Sequence, residues 1–311
     1  RYTKLSFSDL NDEPFSKRLP AGWVAILQHY FVSAWIPSQQ ASHDYFASQL
    51  SNGDNVIGYK NQNVDIAPGS AATISQTLYV GPKDQVALAE LAENLDLVID
   101  YGWLWWLAQP LFWLLTLIQQ FVVNWGLAII ALTIVIKLIF FRLSAASYKS
   151  MAKMRTVQPK IQSIRDQYAD DKTKQQQAMM ELWKKEKINP MGGCLPMLIQ
   201  MPVFIALYWV LLESVELRHA PFILWIEDLS AMDPYFVLPI LMGISMWLMQ
   251  RLNPAPPDPM QAKIMMYMPI AFTFLMMWFP AGLVLYWLCN NLLSFAQQYV
   301  VTRQIEQAAA R

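Results

Sequence analysis

The sequence predicts an all-α polytopic membrane core of five transmembrane helices with a cytoplasmic helical hairpin, preceded by a β domain on the outer side. Three observations carry this reading. Hydrophobic residues make up 55% of the 311 positions and charged residues only 15%, whereas a soluble domain carries about 25% charged residues. Five apolar stretches after position 120 are long enough, or nearly so, to cross a hydrocarbon core of about 30 Å. Basic residues are concentrated on alternate connections between those stretches, although the net charge is zero.

Residues 1–100 have a different texture. Turn signals such as Asn52-Gly53 and Pro68-Gly69, with alternating runs such as Thr73 to Val80, mark a β domain. GWVAILQHYFVSAWIP (22–37) is interrupted by Gln28, His29 and Ser33. It is too short for a span of about 20 residues and suits a strand pair or sheet core. Asp84 to Asp96 reads as a helix with Leu88, Leu91 and Leu95 on one face. The chain opens at Arg1 in mid-pattern, as a fragment or processed form with its targeting segment upstream would.

Residues 101–119 hold Trp103, Trp105, Trp106 and Trp113 around Pro110. Tryptophan favours the headgroup level, so this segment is expected to lie in the interface as an amphipathic helix leading into the membrane. The expected spans are 121–142, 195–213, 235–250, 264–279 and 281–302. The domain limits that follow are 120–143 for the first span, 144–190 for the hairpin, 191–303 for the other four spans and 304–311 for the tail. FPAG (279–282) is short enough to force the last two spans into an antiparallel hairpin.

Orientation follows from charge. The stretch 142–190 has eleven basic and five acidic residues, whereas 213–233 has one basic and five acidic. The positive-inside rule places the first of these in the cytoplasm and the second outside. Arg251, Lys263, Arg303 and Arg311 then fall inside, and residues 1–100 fall outside. In 145–188, Pro159 marks a helix start and Ala169-Asp170-Asp171 a turn between two helices. Met151, Met154, Val157, Ile161 and Ile164 form one apolar stripe; Met179, Met180, Leu182 and Trp183 form another. They either pack on each other or give a pliable methionine surface to apolar partners.

Lys137 is the one formal charge inside a span. Insertion of lysine at mid-membrane costs about 2.5–3.5 kcal/mol, so such a residue faces a polar cavity or a partner. It also lies five residues from Arg142, roughly 7.5 Å along a helix, within reach of the headgroups by snorkelling. From this span alone both readings stay open. Thr133 shares its helical face. The last span carries Tyr286, Asn290, Ser294 and Gln297 at helical spacing with Asn291 and Gln298 beside them, and the second carries Gln200 between Pro196 and Pro202. No span contains an acidic partner, which tilts the balance towards a wet groove, although such stripes also serve helix–helix hydrogen bonding.

Cys194 and Cys289 lie in hydrophobic stretches without metal-ligand spacing and read as packing residues. No metal and no cofactor is expected. His29, His43 and His219 are scattered, with no nucleophile–base spacing, and no glycine loop for phosphate is present. A catalytic site is therefore not expected. A transporter with Lys137 as counter-ion is a rival reading, though the internal repeats common in that class are missing. A purely structural assembly factor is another.

Along nearly its whole length the chain resembles the YidC family of membrane protein insertases in its Gram-negative form. The segments that carry the resemblance are GWVAILQHYFVSAWIP (22–37), IDYGWLWWLAQPLF (99–112), SMAKMRTVQPKIQSIRDQY (150–168), NPMGGCLPMLIQMP (189–202), FILWIEDLSAMDPYFVLPILMG (222–243) and WFPAGLVLYW (278–287). The resemblance implies that residues 1–100 are the end of a periplasmic β-sandwich and that an upstream span is absent here. It implies a lipid-open hydrophilic groove holding a basic residue, Lys137, where many relatives have arginine. Thr133, Gln200 and Tyr286 match groove or substrate-path positions. The implied function is insertion of nascent hydrophobic segments into the bacterial inner membrane, alone or with the Sec translocon and without nucleotide hydrolysis. The implied partners are nascent membrane proteins, the Sec translocon, the ribosome and membrane lipids, and no DNA. The short tail after Arg303 speaks against ribosome docking through a long basic extension. Arg142 stands where some relatives have proline.

Overall fold

The computed structural model describes residues 2–169, 171–186, 195–253 and 259–309. The chain divides into two compact units, Arg1–Asp100 with Glu213–Glu216, and Tyr101–Leu212 with Leu217–Arg311.

The first unit contains α1 (Asp9–Asp12), β1 (Phe15–Leu19), β2 (Val24–Leu27), β3 (Phe31–Ile36), β4 (His43–Gln49), β5 (Asn55–Lys60), β6 (Thr77–Pro82) and α2 (Gln85–Leu91). Two antiparallel three-stranded sheets form, in the orders β1-β4-β5 and β2-β3-β6, a sandwich-like arrangement. Period-two alternation sets their inner faces. Val32, Ala34 and Ile36 are buried from β3, and His43, Tyr45 and Ala47 from β4. The 22–37 segment is the strand pair its interruptions imply, with Val24 opposite Trp35. The alternating run expected over 73–80 becomes a strand only from Thr77 and continues to Pro82, where it pairs with β3.

The helix expected over 84–96 is shorter. Asp84 caps it, its side chain accepting from Ala87 N, and it ends at Leu91. Asn94 then adopts a left-handed conformation, φ 64°, before a 3-10 turn over Leu95–Val98. The polar Glu93-Asn94 pair favours that turn, and the turn still delivers Leu95 and Val98 to the core beside Leu88. Within this unit Lys83 Nζ donates to Glu213 at 3.1 Å, with both side chains largely buried.

The second unit is helical: α3 (Trp105–Val122), α4 (Trp125–Ile139), α5 (Phe141–Thr156), α6 (Gln158–Gln167), α7 (Lys172–Lys185), α8 (Leu195–Glu213), α9 (Val237–Leu252), α10 (Pro259–Met276) and α11 (Ala281–Ala309). Several helix limits differ from the sequence expectation, and two of them bear on the site. The tryptophan-rich helix runs past 119 to Val122 and passes through Pro110 without a break. The first expected span, 121–142, is broken: α4 covers only Trp125–Ile139, and the ends of the stretch fall in α3 and α5. Val123 in left-handed geometry separates α3 from α4, and Asn124 caps α4 by accepting from Leu127 N. At the other end α4 meets α5 at a 68° bend. No single helix among the described residues is long and apolar enough to cross a membrane; the bent pair α4–α5 passes that test together, and shorter apolar helices cover Leu198–Glu213, Val237–Leu252 and Ala262–Met276. α11 is long, but its polar stripe dilutes its hydropathy.

The loop from 217 to 236 is a folded element. Asp233, 1% exposed, accepts from Trp225 Nε1 (2.9 Å), Tyr235 N (3.0 Å) and Leu238 N (2.7 Å). The last of these also satisfies a free donor at the start of α9. Asn124 Nδ2 donates to the carbonyls of Pro221 and Phe222. Gly126 lets Phe222 lie against α4, since a Cβ there would come within 2.0 Å of the ring. The turn expected at FPAG is fixed in the same way, with Ala281 N donating to Ala231 O and Gly282 N to Leu229 O.

Candidate functional site

The charge in α4 is directed at α11. Apolar residues dominate α4, and Ala128, Ile129, Leu132 and Ile136 are buried. Lys137 sits at the edge of that face, and its Nζ donates to Ser294 Oγ at 2.7 Å. Among the described residues the ammonium has no carboxylate within ion-pair distance. Its partner is a hydroxyl, which in turn donates to Asn290 O at 2.7 Å. A neutral partner leaves the positive field uncancelled in a medium of low dielectric.

Other polar residues extend this face. Thr133, 1% exposed, turns its hydroxyl back to Ile129 O at 2.7 Å, the usual way for threonine to satisfy itself within a helix. Gln297 Nε2 donates to Phe141 O at 3.0 Å, next to the α4–α5 bend. Gln200 Nε2 lies 3.4 Å from the Tyr286 hydroxyl. Tyr286 is buried, and its ring stacks on Phe204 with centroids 6.1 Å apart. The structure thus brings Lys137 to Ser294, joins Gln297 to the start of α5, and pairs Gln200 with Tyr286, while Asn290 takes part through its backbone carbonyl.

The polar stripe of α11 is really two. Asn291 Nδ2 donates to Ser245 Oγ (3.2 Å) and Gln298 Nε2 to Asn253 Oδ1 (2.9 Å), so these two residues serve packing against α9. Inspection of the sequence alone also misses Tyr148. It is buried on α5, and its hydroxyl hydrogen-bonds the same Ser294. A signal was present, since Tyr148 is the only aromatic residue between Phe141 and Tyr168. It goes unread if the span is taken to end at 142.

In the hairpin, Met151 and Met154 on α5 and Met179 and Trp183 on α7 are half-buried, and Met180 is exposed. The Trp183 indole N–H is enclosed and has no partner. Lys160 Nζ donates to Glu186 at 2.6 Å, and this bond holds the Glu186 carboxyl below its usual range. NPMGGC (189–194), with Cys194, lies outside the described residues. Among the described residues no cluster of His, Cys, Asp and Glu could hold a metal.

The family described as 60Kd inner membrane protein matches residues 117–308, and the YidC periplasmic domain family matches residues 1–114. The chain belongs to the YidC family. Its relatives include a protein of Marinomonas sp., 64% identical over 310 residues, and one of Cellvibrio japonicus, 58% identical over 311, both bearing the name membrane protein insertase YidC. The matches cover 99% and 100% of this chain and 56% of each relative, so the chain spans about half the length of those proteins. A crystal structure of an active YidC insertase with its first transmembrane domain resolved aligns with a TM-score of 0.56 at 23% identity, over 92% of this chain and 79% of that one. That likeness establishes the fold, β sheets followed by a helical core.

Proposed function

We propose that this chain is the working core of a membrane protein insertase, in which Lys137 and the α11 stripe make a polar face that receives the outer end of a nascent segment. The observation that carries this is the Lys137–Ser294 pair: a half-buried ammonium held by a neutral hydroxyl from another helix. An anionic or polar tail arriving at such a face loses less hydration energy than in bare hydrocarbon. The segment's apolar part then slides into lipid along α8 and α10, whose Leu198, Met201, Ile264, Met268 and Leu275 are exposed.

In this reading residues 1–100 are periplasmic, 144–190 and the C-terminus are cytoplasmic, and the spans number five, with α4 and α5 sharing the first. Trp103, Trp105, Trp106 and Trp113, all more than half exposed, anchor the interfacial helix at the headgroups. The hairpin methionines make first contact with clients. The partners are nascent membrane proteins, with the Sec translocon, the ribosome and membrane lipids around them. The chain supplies position and charge, with no nucleotide hydrolysis of its own.

The test is insertion of a single-span substrate with an acidic tail by the full-length protein carrying Lys137→Arg, Lys137→Ala or Lys137→Glu. Arginine keeps activity, alanine lowers it and glutamate abolishes it. Equal activity of the Glu and Arg variants overturns the electrostatic role.

A further inference from the structure

The α9–α10 pair carries a lateral crevice of about 400 Å³ that the insertion path along α8 and α10 does not use. Its walls are Ile240, Ile244 and Trp247 from α9, and Ile270 and Phe274 from α10, all substantially exposed. Its floor is a close helix crossing. A Cβ on Gly243 would lie 1.9 Å from Thr273 Oγ1, and that hydroxyl is turned away into a bond with Pro269 O.

The crevice is continuous with charge. Positions 240, 244, 247 and 251 follow the i, i+4, i+7, i+11 spacing of one helical stripe, and positions 263, 270 and 274 on α10 follow i, i+7, i+11, again one stripe. Arg251 and Lys263 therefore stand at the same end of the two walls. The Arg251 guanidinium lies 4.5 Å over the Trp247 ring, and Gln250 bonds the Met265 carbonyl beneath. Among the described residues neither cation has an ion-pair partner. The connecting NPAPPDP holds one acid, Asp258, so this end keeps an excess of positive charge. From Ile240 to Arg251 is roughly 16 Å of helix, close to half of the ~30 Å hydrocarbon core.

We propose that the crevice between α9 and α10 binds one acyl chain of an anionic phospholipid, whose phosphate is held by Arg251 and Lys263. The depth is that of one leaflet. The walls offer an acyl chain dispersion contacts, and no polar group need be stripped of water to make them. Headgroup choice then rests on the two cations, each favouring an anionic lipid by roughly fivefold in occupancy. The inference depends on the inner-membrane setting of the family and not on the insertase reading.

The test uses the full-length protein in phosphatidylethanolamine nanodiscs doped with phosphatidylglycerol, or with tracer phosphatidylethanolamine, carrying a diazirine on one acyl chain. Phosphatidylglycerol is expected to label peptides spanning 240–251 and 263–277 at least about fivefold more than the tracer. Arg251→Gln with Lys263→Gln brings it down to the tracer level, and Ile244→Trp, which fills the crevice, removes labelling by both. Equal labelling of the unmodified protein by the two lipids overturns the proposal, as does labelling that survives Ile244→Trp. Crosslinking of a nascent segment in place of lipid from photoreactive residues at 244 and 270 also overturns it. Insertion activity measured in parallel reports separately on the insertase reading.

Discussion

At the scale of single residues, the hydroxyl of Ser294 is the least replaceable neutral group. It serves Lys137, Tyr148 and the α11 backbone together. Ser294→Ala leaves the ammonium half-buried without its partner, a loss of about 1–3 kcal/mol. Insertion of acidic-tailed substrates and the thermal midpoint should both fall, whereas Tyr148→Phe should lower the midpoint only slightly; comparing the two variants by melting in detergent checks this. Asp233 is a second such residue. Asp233→Ala strands three donors, at a cost on the order of 3 kcal/mol, and the expected outcome is protease sensitivity within 217–236. A third residue makes stability depend on pH. Burial, reinforced by the charge of Asp84, pushes the Glu216 carboxyl from its ordinary 4.5 up to about 7. The folded chain then keeps a proton that the unfolded chain has released. The stabilisation is complete below the unfolded value and is lost as pH rises through about 7. Glu216→Gln should therefore raise the melting temperature more at pH 8 than at pH 5.

At the scale of elements, the sequence made the strand pair at 24–36, the hairpin turn at 279–282 and the start of α6 at Pro159 legible, because each is fixed by local turn or proline chemistry. Helix ends set by tertiary contacts were not legible. The stop of α2 depends on the left-handed Asn94, and the break after Val122 depends on Asn124, whose amide is engaged by carbonyls almost a hundred residues away. The candidate site was half legible. Spacing identified Lys137 and the α11 residues, but it could not divide the stripe between Ser294, which faces Lys137, and Asn291, which faces Ser245. Those positions are adjacent turns of one helix, and only the placement of α9 separates them. The Gly126–Phe222 contact gives a prediction at this scale. Gly126→Ala forces the ring away and costs about 1–3 kcal/mol. Phe222→Ala in the same chain should recover most of that, which a double-mutant melting series will measure.

At the scale of the whole molecule, the unequal wetting of the helices is the organising fact. α8 and α10 present apolar side chains outward, while α11 buries Ser294, Asn291 and Gln298. A few polar groups buried in an apolar core, beneath an exterior that is itself apolar, is the arrangement that lipid surroundings favour. The composition foretold the apolar exterior, but not which helix would hold the polar groups.

The 68° bend at Phe140 has a mechanical consequence. α6 and α7 bury no side chain, whereas the first turn of α5 is fastened to α11 by Gln297. The hairpin is thus a cantilever with a clamped root and a free end. A load at its tip is resisted at the clamp on Phe141, four residues from Lys137. A push on the exposed arm would be felt first as torque where the charge is held.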